Sequence, residues 1–270
     1  MRTRKTTPAD IPALKAIWNE AFAEDSAQDI DEFFETLYPN ATGFCAEDET
    51  GCVCTMLFAL PQTIVKGEKQ LKAAYLYAVA TKKEHRGQGY CRAVMAYAEK
   101  ELRKRYVEAL LLSPASERLA DFYAERGFTR QTGAKKTLLD CAQPTGQATE
   151  IGVQDYAGLR ETALWDIPHV RYDRAQLEYA MAGGKFYCLM AGYAMGCAAV
   201  KDGKDGVQAV VCELLPGTEG PGALAEKRGA GKYEVVSSLP GEDGETWCML
   251  KWLGKAYPEL EPVYMGFSLE

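Results

Sequence analysis

Apolar residues recur at helical spacing near the start of the chain. Ile11, Leu14, Ile17, Trp18 and Phe22 follow Thr7-Pro8-Ala9-Asp10, where Pro8 suits a first-turn position. This predicts a helix after a short polar strand over residues 1–6. A second helix is expected around Ile30 to Leu37, stopped near Pro39-Asn40. Strand-like segments follow at Gly43 to Glu47 and Cys52 to Pro61, joined by the acidic turn Asp48-Glu49-Thr50-Gly51. Ala73 to Thr81 reads as a further strand, rich in Tyr and Val. Gly87-Gln88-Gly89 breaks it, and a long helix is expected from about Tyr90 to Arg105. Val107 to Ser113 is apolar throughout, as in a strand buried on both faces. Ser116 to Arg126 predicts a helix closed by Gly127, and Thr132 to Cys141 a strand.

The pattern then starts again. Ala142-Gln143-Pro144-Thr145-Gly146-Gln147 is small and polar, which places a domain boundary there: residues 1–142 before it and 148–270 after it. Beyond it come a strand at Thr149 to Val153, a helix from Asp155 to Leu164 and a helical piece at Leu177 to Met181. Three strands follow, at Lys185 to Met190, Ala194 to Lys201 and Val207 to Leu214. A short helix (Gly222 to Lys227) and strands at Tyr233 to Ser238 and Val263 to Ser268 close the chain. The order echoes the first half, so the second half reads as a diverged repeat. The fold class expected is α/β, with α+β features and a mixed sheet.

Composition narrows the class. At 270 residues with 47% hydrophobic and 26% charged positions, the chain can build a large core without disulfides or metal. No run reaches the ~18 apolar residues of a membrane span, and the basic N-terminus has no apolar stretch behind it, so no signal peptide is expected. A net charge of −7 argues against nucleic acid and anionic membranes as partners. The nine cysteines are scattered, which suggests reduced, mostly buried thiols in a cytoplasmic protein. Cys52 and Cys54 alternate as if on one strand face. With two histidines, His85 and His169, and no Cys-x-x-Cys, no metal site is expected.

The chemistry concentrates where a strand turns into the long helix, in Ala78-Val79-Ala80-Thr81-Lys82-Lys83-Glu84-His85-Arg86-Gly87-Gln88-Gly89-Tyr90-Cys91-Arg92. A helix start offers unpaired N–H groups and a positive dipole end, which favour a phosphate. Gly87 and Gly89 lack the Cβ atoms that would block close approach. Lys82, Lys83, Arg86 and Arg92 add positive charge, so the turn suits a diphosphate; an ordinary strand–helix loop with solvated cations fits the spacing equally well. A Walker A loop is excluded, because no Gly-Lys-Ser/Thr follows Gly89. The dinucleotide fingerprint fits poorly, because Arg92 stands where its third glycine belongs.

Arg86-Gly87-Gln88-Gly89-Tyr90-Cys91 resembles the Arg/Gln-x-x-Gly-x-Gly/Ala acyl-CoA loop of the GCN5-related N-acetyltransferases, the GNAT family, and Val79-Ala80-Thr81 is similar to its cofactor strand. Ser116-Glu117-Arg118-Leu119-Ala120-Asp121-Phe122-Tyr123-Ala124-Glu125-Arg126-Gly127-Phe128 resembles the family's second signature, a helix with Tyr before a closing Gly-Phe. The resemblance is strong over about residues 1 to 140. The whole chain looks most like acetyltransferases that join a catalytic domain to a degenerate second copy, as in Eis-type proteins, without their sterol-carrier-like domain. It implies a GNAT fold and direct acetyl transfer from acetyl-CoA to an amine. The cofactor-binding residues it implies are Val79, Ala80, Thr81, Arg86, Gly87, Gln88, Gly89, Tyr90, Cys91, Arg92 and Ser116, with Tyr123 as the acid that protonates the leaving thiolate. Cys91 and Ser116 depart from the family's usual Gly/Ala and Asn. Leu214-Leu215-Pro216-Gly217-Thr218-Glu219 replaces the loop in the second half, so that half is not expected to bind CoA.

No general base stands out. Glu20 and Glu24 lie on the first helix, Glu270 ends the chain, and His85 suits a phosphate contact or plain exposure better than base chemistry. From Lys15 to Lys66 no Lys or Arg intervenes, while Glu20, Glu24, Asp25, Asp29, Asp31, Glu32, Glu35, Glu47, Asp48 and Glu49 are acidic. An acidic groove would draw a cationic amine, either a small molecule or a peptide lysine; solvated helix faces account for the same residues. A non-catalytic acyl-CoA-binding or regulatory module is the competing function. The second domain is expected to shape the acceptor pocket and to mediate any self-association, with Trp247, Trp252 and Tyr257 in its core.

Overall fold

Strands and helices form largely where the hydrophobic pattern puts them. The computed structural model describes residues 1–143, 145–216 and 221–269 and divides into two compact units. The first comprises Met1–Thr63, Leu71–Leu112 and Lys251–Ala256; the second comprises Ile64–Gln70, Ser113–Leu250 and Tyr257–Glu270.

In the first unit, β1 (Arg2–Lys5) leads to α1 (Ile11–Ala21) and α2 (Ala27–Thr36). Then come β2 (Thr42–Glu47), β3 (Val53–Lys66), β4 (Lys69–Thr81), α3 (Tyr90–Arg103) and β5 (Ala109–Leu112). The strands neighbour one another in the order β1-β2-β3-β4-β5. β1/β2 and β2/β3 are antiparallel, and β4/β5 are parallel across the α3 crossover. Ser26 and Asp29 start α2 as a reciprocal capping box. β3 is buried on both faces from Val53 to Leu60, so a period of two is absent there. Trp18 anchors the core, with ring centroids 4.9 Å from Phe33, 5.5 Å from Tyr77 and 6.0 Å from Phe58. Each such buried aromatic contributes on the order of 2–3 kcal/mol.

The second unit contains α4 (Glu117–Ala124), β6 (Thr129–Cys141), β7 (Gln147–Ile151), α5 (Val153–Ala163), β8 (His169–Arg171) and α6 (Arg174–Ala180). It continues with β9 (Lys185–Ala191), β10 (Ala194–Asp202), β11 (Ala209–Leu215), α7 (Pro221–Arg228), β12 (Gly231–Ser237) and most of β13 (Glu245–Trp252). Its sheet runs β13-β6-β12-β11-β10-β9-β7. β7/β9, β9/β10 and β10/β11 are antiparallel, while β11/β12 are parallel with α7 between them. This repeats the scheme of β1 to β5 strand for strand, which is the internal repeat read from the sequence.

Three expectations are corrected. Val263 to Ser268 is not a strand, because most of its polar backbone bonds are made with side chains instead of a ladder. Trp247 Nε1 donates to the Gly266 carbonyl at 2.9 Å and the Tyr172 hydroxyl to that of Phe267 at 2.9 Å, while Gln131 Oε1 accepts from Val263 N–H at 3.0 Å. The strand nearby is β13, whose register shifts twice between Thr246 and Met249 against β6, and this destroys the period of two. Cys52 and Cys54 do not share an environment. β3 begins at Val53, Cys52 stands exposed in the turn, and Cys54 is buried. Trp247, Trp252 and Tyr257 are half-buried. The Gly217–Glu219 positions and Glu270, singled out in the sequence, lie outside the described residues.

A buried polar network pins the C-terminal segment of the second unit. Arg160 Nε lies 2.9 Å from Glu213 Oε2, with both side chains almost wholly buried. The Tyr156 and Tyr264 hydroxyls also donate to Glu213, and Arg160 donates to the Val170 carbonyl at 2.8 Å and the Met265 carbonyl at 3.3 Å. Burial works against the Arg160 charge, and the Glu213 carboxylate more than offsets it. Burial, reinforced by Glu213, keeps both tyrosines as phenols.

Candidate functional site

β4 carries the first element of the site. Ala78 is buried at φ +47°, a left-handed conformation that costs a non-glycine residue about 1–2 kcal/mol. β4 pairs with β5 over Ala73–Tyr75 against Ala109–Leu111, upstream of that kink. Val79, Ala80 and Thr81 follow the kink; Val79 and Thr81 are half-buried and Ala80 is buried. No sequence signal marks Ala78, because an alanine has no preference for this conformation.

The turn between β4 and α3 is built from backbone. A 3-10 turn spans Lys83–His85, and its first N–H is bound by Glu20 Oε1. Glu20 is thus a structural partner of the turn. Residues 86–89 are exposed, and Gly87 and Gly89 have φ of +74° and +87°. A Cβ built on either would meet nothing within 4 Å, so internal packing does not demand glycine there; the backbone conformation does. Gly89 is the N-cap of α3 and has no side chain with which to cap it. The first bond of that helix is donated by Ala93 to the Gly89 carbonyl at 3.0 Å. The N–H groups of the first helical turn precede it and lie at the positive dipole end of α3.

The predicted cations divide. Arg86 Nε turns back to the Thr81 carbonyl at 3.0 Å, and Lys82 Nζ sits 3.2 Å from Cys52 Sγ. Lys83 and Arg92 stand exposed. Gln88 Nε2 closes the loop on the Glu84 carbonyl at 2.8 Å. Tyr90 is buried under the turn and Cys91 is half-buried, with Sγ 3.9 Å from Met95 Sδ. The first unit therefore brings together all the predicted cofactor residues from Val79 to Arg92.

Ser116 and Tyr123 belong to the second unit, on α4. Ser116 is the N-cap, its hydroxyl accepting from Leu119 N–H at 3.3 Å. Tyr123 is buried and packs edge-on against Phe122 and Phe128, with centroids 5.3 and 5.8 Å away. Ser116 also borders a cleft of ≈ 860 Å³, lined with Ser113, Glu117, Lys135, Trp247 and Ser268 among others. A cleft of that volume is of small-molecule size. Glu117 is held by the Thr246 N–H and by Arg130, so its carboxyl lies below the usual range.

The acidic stretch is largely committed to structure. Asp25 accepts from Trp18 Nε1, Asp29 caps α2, Asp31 pairs with Lys15, Glu47 pairs with Arg4, and Asp48 closes its own turn through Thr50 and Cys52. Glu24, Glu35 and Glu49 stand exposed. Among the described residues, no helix is long and apolar enough to cross a membrane.

Comparison with known proteins bears on the fold. Residues 2–130 match the acetyltransferase (GNAT) domain model. No curated protein matches the chain. Among solved structures, a probable N-acyltransferase of unknown function from Enterococcus faecalis V583 superposes with a TM-score of 0.75 at 16% identity, over 93% of this chain and 72% of that one. A GCN5-related N-acetyltransferase from Anabaena variabilis gives 0.70 at 17%, over 94% and 73%. Eis1 from Mycobacterium abscessus gives 0.68 at 15%, over 94% and 74%. At such identities these likenesses concern the fold. Residues 2–130 thus form a GNAT acetyltransferase domain, and along nearly its full length the chain has the fold of these GNAT-type structures.

Proposed function

We propose that the protein transfers an acetyl group from acetyl-CoA directly to a primary amine. Residues 1–142 would form the acetyl-CoA-binding catalytic domain and residues 148–270 a degenerate copy that does not bind CoA. The observation that carries this is the start of α3. Two exposed glycines in left-handed conformation, each with nothing within 4 Å of where a Cβ would stand, lead into the positive end of a 14-residue helix. In this reading, the N–H groups at Gly87 to Arg92 hold the diphosphate, with Arg86 and Arg92 adding charge. The backbone of Val79 to Thr81, beyond the Ala78 kink, would polarise the thioester carbonyl. Tyr123 would protonate the departing thiolate, and Ser116 would contact the cofactor.

Isothermal calorimetry tests the reading directly. Wild-type protein takes up one acetyl-CoA. In Gly89→Ala the Cβ projects into the space assigned to the anion and the φ of +87° is strained. Losing one charge-assisted bond to the diphosphate costs about 1.5–3 kcal/mol, so the Kd rises by about 10- to 100-fold. No uptake by wild type, or an unchanged Kd in the variant, would remove the phosphate role from this turn. A mass-shift screen of amines with acetyl-CoA then identifies the acceptor.

A cationic acceptor, small molecule or peptide lysine, is favoured by the exposed carboxylates Glu24, Glu35 and Glu49. With so few, kcat/KM for a cationic amine falls only by roughly a few-fold between low and physiological salt. Salt-independent kcat/KM would dispose of electrostatic steering.

A further inference from the structure

Three segments of the first unit converge beside the candidate phosphate turn. Asp48 comes from the β2–β3 turn, Cys54 from the start of β3, and His85 from the 3-10 turn before Arg86. One ligand atom from each, a carboxylate oxygen, a thiol sulfur and an imidazole nitrogen, lies within 4.8 Å of the other two. We propose that Asp48, Cys54 and His85 bind a divalent transition-metal ion of the zinc class, with a fourth position open to solvent.

The donor set favours such an ion. Thiolate with imidazole suits a borderline-soft cation over Mg²⁺ or Ca²⁺, and three protein ligands with an open position is a common zinc arrangement. Two donors on one such ion stand about 3.3–3.8 Å apart, from bond lengths of ~2.0–2.3 Å and a tetrahedral angle. His85 Nε2 lies 3.7 Å from Asp48 Oδ2, beyond hydrogen-bond reach but right for sharing a metal.

The imidazole is otherwise poorly satisfied. Its Nδ1 is buried without a hydrogen-bond partner and stands 3.6 Å from Glu84 Oε1; the ring packs edge-on against Tyr90 at 5.3 Å. On Asp48, Oδ1 is committed to Thr50 and Cys52, which leaves Oδ2 facing His85.

The backbone fixes the three segments before any ion arrives. Asp48 N–H donates to the Cys52 carbonyl at 3.0 Å, Lys82 N–H to that of Cys54 at 2.9 Å and His85 N–H to that of Lys82 at 2.9 Å. Cys52 is not a ligand in this assignment, since its sulfur faces the Lys82 ammonium. The Cys54 thiol now donates to the Cys52 carbonyl at 3.1 Å, and burial pushes its pKa up. On metal binding its S–H bond breaks, the proton passes to solvent and an S–metal bond forms, with no change of oxidation state. The ion would clip the β2–β3 turn to the residue just before Arg86.

The test uses the full chain, reduced, stripped of metal with a chelator and titrated with Co²⁺. One equivalent should produce a thiolate-to-cobalt charge-transfer band that Zn²⁺ abolishes by displacement. The band should vanish in Cys54→Ser. His85→Gln and Asp48→Asn alter partly exposed side chains and should each weaken Co²⁺ binding at least ~10-fold. Those two variants decide the matter if Cys54→Ser fails to fold by circular dichroism. Absence of the band, its persistence in folded Cys54→Ser, or unchanged affinity in both other variants overturns the site. None of these readouts depends on acetyl-CoA, so failure here is separable from failure of the acetyltransferase reading.

Discussion

Tyr123→Phe is expected to lower kcat by about 100-fold while acetyl-CoA binding by calorimetry stays unchanged; general acids contribute ~10²–10⁴. A phenol can donate its proton to the departing CoA thiolate, and Phe removes the hydroxyl that carries it. The substitution keeps the ring and its edge-on contacts with Phe122 and Phe128, so packing of α4 is preserved. The KM-against-kcat split is the informative readout, because a merely structural tyrosine would disturb stability before turnover. An unchanged kcat removes Tyr123 from the mechanism.

Glu213→Gln should cost the fold about 3–5 kcal/mol in urea denaturation, the usual penalty for a buried charge left without its partner. Arg160 would then keep only the longer pair to Glu161, 3.8 Å away, beside the Val170 and Met265 carbonyls. The double variant Arg160→Met with Glu213→Leu should recover much of the loss, since it leaves no buried charge. Gly266→Ala attacks the same network by shape. Its Cβ would stand 2.2 Å from Glu213 Oε1 and 2.9 Å from Arg160 Nη2, at a φ of +78°. If Glu213→Gln costs less than ~1 kcal/mol, the pair does not hold the C-terminal segment in place.

Much of the candidate site was legible because its signals are local. A glycine pair before an amphipathic run marks a helix start with free amides, and Ser116 three residues before Leu119 marks a cap. The α4 signature and the strands flanking α3 were found for the same reason. Where the reading failed, the cause was a long-range partner. Val263 to Ser268 has the composition of a strand, yet Trp247, Tyr172 and Gln131 take its backbone bonds. β13 hides its alternation behind two register shifts, and the Ala78 kink has no residue preference to announce it.

The division between the two sources of information follows range. By itself the sequence determined most of the order of elements and the glycine-marked start of α3, because these rest on local spacings; the GNAT resemblance rests on two such local motifs in the right order, and the diverged repeat on the likeness of the two halves. The tertiary structure decided how the carboxylates are used and which polar groups are buried together. Glu20 became a partner of the Lys83 amide, Glu213 met Arg160, and Asp48 and Cys54 met His85. Such meetings depend on where the strands place distant residues and on the cost of burying a charge alone, neither of which is written in local spacing.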